Sequence, residues 1–101
     1  MENKFFYRYE YLNHDEDGDN PKPVLILEQL KAVKETPKGY WIIGKWLPGR
    51  KWISKTSKKR YAYPTIEEAK KNLYCRTALR IRFLRYQILF CKRVIKQIKD
   101  L

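Results

Sequence analysis

Histidine occurs once in this sequence, at His14, and cysteine only twice, at Cys75 and Cys91. There is no Cys-x-x-Cys pair and no histidine cluster, so the ligand pattern of a zinc site is missing. The acidic run "DEDGDN" does not make up for it. Counted from Asp15 as a calcium loop, the required glycine falls on Asn20 and the bidentate acid on Ile26. The run reads instead as a mobile hairpin loop, with an acidic decoy for the basic face as the weaker reading. The sequence also lacks a Gly-rich phosphate loop, and neither cysteine has a histidine in helical register to act as a base. No enzyme and no cofactor are expected. No apolar stretch is long enough to span a membrane, and "MENKFFYRYEYL" carries charges where a signal peptide needs an apolar run. A cytoplasmic protein with no membrane partner is expected. The cysteines lie sixteen residues apart on what reads as one helix, about 24 Å, so they are expected as free thiols.

Acidic residues are the other scarcity, with 11 against 23 lysines and arginines in 101 residues, a formal charge of +12. The imbalance is local. Up to Glu35 there are five basic and eight acidic residues, and from Thr36 onward eighteen and three. The positive field of the later region implies a polyanionic partner: nucleic acid, a nucleoprotein or an anionic surface. Hydrophobic residues at 44% and aromatics at 15% are enough for one small core, so a single domain is expected.

Local patterns divide that domain in two. "KFFYRYEYL" places Phe5, Tyr7, Tyr9 and Tyr11 at period two, a strand signal. "VLILEQLKAVKET" has a helical composition but stands between Pro23 and the turn "TPKG", which favours a strand. "YWIIGKWL" reads as a buried strand, and Pro48-Gly49 as the centre of a type II turn. "KWIS" and "RYAY" are short strands on either side of "KTSKK". The expected fold class is therefore α+β: an antiparallel β-meander of four to five strands over 1–63, then one long basic C-terminal α-helix over 65–100. Thr65 and Glu68 form a capping box at its start, and neither glycine nor proline interrupts Ile66 to Leu101.

On that helix Ile81, Leu84, Ile88, Cys91, Ile95 and Ile98 alternate steps of three and four, a heptad seam. Leu79, Phe83, Phe90 and Val94 form a second line beside it. A helix of about 50 Å outruns a small meander. Three outcomes stay open: the helix breaks, its end folds back on the sheet, or the seam joins two copies in a homodimer.

The positive signal for binding lies between Lys38 and Arg60, which hold eight cations and no acid, interleaved with Trp41, Trp46, Trp52, Tyr61 and Tyr63. Cations neutralise phosphates, and aromatic and guanidinium planes stack on bases. Trp41, Trp52 and Tyr61 are assigned to the core. Arg50, Lys51, Lys55, Lys58, Lys59 and Arg60 are the candidate contacts, with Arg76, Arg80, Arg82 and Arg85 as a second strip on the helix.

Two resemblances bear on the partner. "KRYAYPTIEEAKKNL" resembles the last strand and first helical turn of the arm-type DNA-binding domains of phage integrases, through Arg60, Tyr61, Thr65, Glu68 and Ala69. That resemblance implies a sheet that enters the DNA major groove. "VKETPKGYWI", "KWISKTSKKRYAYPT" and the long basic helix together resemble a family of small bacteriophage and prophage proteins. This second resemblance implies a non-enzymatic inhibitor of a host nucleoprotein defence complex, such as a CRISPR effector. Being basic, it would contact guide RNA, DNA or an acidic protein surface. Direct DNA or RNA binding is the alternative expectation, and helix-mediated assembly the third.

Overall fold

A computed structural model describes residues 3–101. It is an α+β arrangement of β1 (Phe5–Asn13), β2 (Pro23–Thr36), β3 (Gly39–Ile43), β4 (Lys51–Ser54) and α1 (Ile66–Lys99). The strands form one antiparallel sheet in the order β1-β2-β3-β4.

Alternation along the strands sets the core. Phe6 lies opposite Leu30, Ala32 opposite Ile42 and Tyr40 opposite Ile53, and all six are buried with Ala62. Fully burying side chains of this size contributes roughly 1.5–3 kcal/mol each for the larger ones. The period-two aromatics of β1 occupy the other face. Tyr7 and Tyr9 are half-buried and Tyr11 is exposed, whereas the even-numbered Phe6 enters the core. Their phenol hydroxyls favour a face that stays in reach of water. A bulge between Ala32 and Lys34 then shifts β2 by one residue, so that Glu35 stands opposite Tyr40.

The turn joining β2 to β3 is tight. Thr36 Oγ1 accepts from the Gly39 amide and donates to the Gly39 carbonyl, both at 3.2 Å. Gly39 is required by crowding, because a Cβ there would sit 2.7 Å from the Trp52 ring and closer still to the Ile53 carbonyl oxygen. The acidic loop is held by its own side chains. Asp15 accepts backbone hydrogen bonds from Asp17, Gly18 and Asn20, and Asn13 from Asp15 and Lys22. Gly18 supplies the positive φ of 78° that this path needs.

Four expectations are corrected. "RYAY" is not a strand: Tyr63 alone bridges Tyr7, and the sheet has four strands among the described residues. Gly49 has no positive φ, so Pro48-Gly49 does not form a type II turn. The strand in "YWIIGKWL" stops at Ile43, and Trp46 is 71% exposed. Trp52 is not core either. Trp41 and Trp52 face each other across β3 and β4 on the outer side of the sheet, with ring centroids 5.2 Å apart.

The Tyr63 bridge matters because β1 is an edge strand. Tyr7 and Tyr63 exchange both backbone hydrogen bonds, at 2.6 and 2.9 Å. Thr65 then caps α1 in an extended conformation. Its Oγ1 accepts from the Glu68 amide and donates to the Glu68 carboxylate. The helix runs along β1, burying only Ala69 and Leu73. Arg76 donates to the Tyr9 carbonyl (2.6 Å), Glu10 (3.2 Å) and Asn72 (2.8 Å). It thereby covers one more open carbonyl of the β1 edge. Beyond that anchor the helix neither breaks nor folds back. From Leu79 onward every residue is exposed, and the molecule measures 66 Å along its longest axis.

Candidate polyanion-binding surface

The segment 55–60 is built by short-range hydrogen bonds. Ser54 Oγ accepts from the amides of Thr56 and Ser57, both at 3.2 Å, which turns the chain just past β4. Arg60 points back into this turn. Its Nε donates to the Ser57 carbonyl at 2.7 Å and its Nη2 to the Lys55 carbonyl at 2.8 Å. The Tyr63 hydroxyl donates to the Lys58 carbonyl at 3.3 Å and accepts from Asn72 at 3.1 Å, tying the turn to the helix.

These bonds sort the cations that looked equivalent in sequence. Lys55 is engaged by Glu35 at 2.7 Å and lies 5.0 Å from the Tyr40 ring centroid. That hydrogen bond holds the Glu35 carboxyl below its usual range and pushes the Lys55 ammonium up. Arg60 and Arg76 are each spent partly on backbone carbonyls. Lys58 and Lys59 are exposed and have no ion-pair partner among the described residues.

Between the turn and the first three turns of α1 lies a cleft of about 650 Å³. Lys58, Lys59, Arg60, Lys71 and Arg76 line it, with Glu68 as the one acid. Lys71 was not among the residues expected from sequence, although helical periodicity carried the signal. Eleven residues are three turns to within about 20°, so Lys71, Arg82 and Arg93 fall nearly on one line. Arg85, Lys92, Lys96 and Lys99 lie within about 100° of it. The cleft therefore opens onto a cationic strip that runs about 37 Å along α1 from Lys71 to Lys96.

The remaining candidates sit apart. Arg50 and Lys51 border a hollow formed with Leu47, Pro48 and Gly49. The Arg50 guanidinium lies 5.9 Å from the Trp41 ring centroid and the Lys51 ammonium 4.2 Å from that of Tyr61. Burial raises the pKa of the Tyr61 phenol, and the negative charge of Glu28 adds to the shift. Arg80 lines a third hollow beside Glu10 and Tyr11. Cys75 opens onto the main cleft and Cys91 lies on the projecting helix, both as free thiols. No group of three or more His, Cys, Asp or Glu side chains among the described residues is placed to hold a metal ion. No helix among the described residues is long and apolar enough to cross a membrane. No family model matches the chain, and no curated protein or solved structure matches it either.

Proposed function

We propose that this chain is a non-enzymatic binding protein whose basic cleft and helical strip grip the phosphate backbone of a nucleic acid carried in a host nucleoprotein complex. The observation that carries the reading is the line from Lys58 and Lys59 through Lys71 to Arg82 and Arg93. It is a line of cations repeated every three turns on one helix, with Ala78 and Leu89 between them and Glu68 as the one acid of the cleft. Phosphate contacts from such a row supply affinity without reading sequence. The bacteriophage-protein resemblance supports a defence complex, such as a CRISPR effector, as the host of that nucleic acid.

The experiment has two arms. In the first, labelled duplex DNA and single-stranded RNA are titrated with the protein from 50 to 200 mM salt. Binding with a steep salt slope is expected, and no binding at the lowest salt refutes the contact. In the second, the tagged protein is pulled from host lysate with and without nuclease. Stoichiometric, nuclease-sensitive capture of a nucleoprotein is expected. Nucleic-acid binding without such capture leaves the alternative, a direct DNA- or RNA-binding protein.

A further inference from the structure

The projecting half of α1 presents far more apolar surface than an isolated helix end carries at ease in water. Ile81, Leu84, Ile88, Ile95 and Ile98 are between 43% and 61% exposed, and Cys91 is exposed beside them. At 100° per residue this seam continues, within about 50°, the azimuth of Ala69 and Leu73, the two residues buried against the sheet. The sheet thus stands on the seam side of the helix at one end, and the seam runs on uncovered past it. A planar surface is held away from the seam by the sheet. A rod is not.

We infer that the occupant is a second copy of this helix, packed antiparallel. Overlaying the two so that Ile81 meets Ile98 of the other copy brings Leu84 against Ile95 and Ile88 against Cys91. Every seam position then faces an apolar one in knobs-into-holes fashion. The same overlay places the helix end at Lys99, capped by Asp100, beside the other copy's Arg80, which borders a hollow with Glu10 and Tyr11 of β1. The seam from Ile81 to Ile98 is covered along its length. A parallel pair would drive both sheets into the space between the two helices.

The cations fit this arrangement. Arg82, Arg93 and Lys96 lie about 120° or more from the seam and stay in water. Arg85 approaches Lys92 of the other copy, a like-charge contact at the flank. Association therefore strengthens as salt rises, opposite to binding of an anionic lipid or a nucleic acid.

Sedimentation velocity of the full chain at about 50 µM, a concentration set by the micromolar scale of modest interfaces, tests the pairing. A species of twice the 12.3 kDa chain mass, more populated at 500 than at 50 mM NaCl, is expected. A monomer across that range overturns the inference. So does a monomer that floats with vesicles of phosphatidylglycerol and phosphatidylcholine, which assigns the face to lipid. Orientation is read with two variants, each with Cys75→Ser and Cys91→Ser, one adding Ile81→Cys and the other Ile98→Cys. In the antiparallel pair like positions are about 25 Å apart, beyond disulfide reach. Mild oxidation should link the mixture and neither variant alone. Linking of each variant by itself overturns the antiparallel arrangement. Circular dichroism matching the unmodified chain shows that the variants fold.

Discussion

Separating Arg60 from its two lysine neighbours tests how the basic turn is built. Arg60 makes two charge-assisted bonds to backbone carbonyls, at 2.7 and 2.8 Å, whereas Lys58 and Lys59 make no side-chain bond among the described residues. A buried bond of that kind contributes about 1.5–3 kcal/mol. Arg60 is half-exposed, and water replaces part of what is lost, so Arg60→Ala should cost about 1 kcal/mol. For a domain of this size that lowers Tm by about 4–8 °C. Lys58→Gln with Lys59→Gln should leave stability within about 0.5 kcal/mol for each change. The double variant acts on binding instead. Two lost phosphate contacts flatten the slope of log affinity against log salt by about 1.8 on duplex DNA. Between 50 and 200 mM salt, a fourfold range, the variant should lose about 12-fold less affinity than the unmodified chain. Thermal melts and anisotropy titrations on the same preparations measure both quantities. An unchanged salt slope in the lysine double variant refutes the assignment of the cleft. A lysine variant that melts as early as Arg60→Ala refutes the division of labour within the turn.

Three further expectations follow from the packing. Arg76→Ala removes the donor to the Tyr9 carbonyl and the partner of Glu10, and should lower stability by about 1–3 kcal/mol in urea denaturation. Faster hydrogen exchange in the helix between Ala69 and Thr77 should accompany it. Gly39→Ala forces a Cβ against the Ile53 carbonyl and the Trp52 ring and should cost about 3 kcal/mol, read as a lowered Tm. Because burial raises the Tyr61 pKa, the unfolded chain releases that proton first as pH climbs past its ordinary value near 10. The folded state then holds more protons than the unfolded one, and stability falls above pH 10. Urea midpoints between pH 9 and 11 should fall less steeply for Tyr61→Phe than for the unmodified chain.

Elements whose signals are local were legible in the sequence. The capping residues Thr65 and Glu68, the uninterrupted run of α1, and the turns framing β2 each depend on neighbours within a few residues. Three features depended on partners far along the chain. The period of β1 announced a strand but not its inner face, because Tyr7 and Tyr9 look as apolar in a pattern as Phe6. "RYAY" has strand composition, yet only Tyr63 pairs with β1, through a single bridge to Tyr7. At the candidate site, a count of charges made Lys55, Lys58, Lys59 and Arg60 alike. Glu35 and the Ser57 carbonyl, which set Lys55 and Arg60 apart, are visible only once the chain is folded. Lys71 was missed because it lies outside the densest basic run, although its eleven-residue spacing to Arg82 placed it on the same helical line.

The way β1 is sealed also sets an order of events in folding. Its hairpin with β2 closes over a short loop and can form early, but its outer edge is met only by Tyr63, 56 positions from its partner Tyr7, and by Arg76, 67 positions from Tyr9. Contacts of such separation form late because loop closure must precede them. Until they form, a nine-residue strand rich in tyrosine and phenylalanine presents unpaired amides along one side. During synthesis that edge emerges before the residues that cover it. Slowing translation between Asn13 and Tyr63 should therefore increase aggregation of the nascent chain, while the folded protein, with Tyr7 and the Tyr9 carbonyl covered, resists strand addition at the middle of β1.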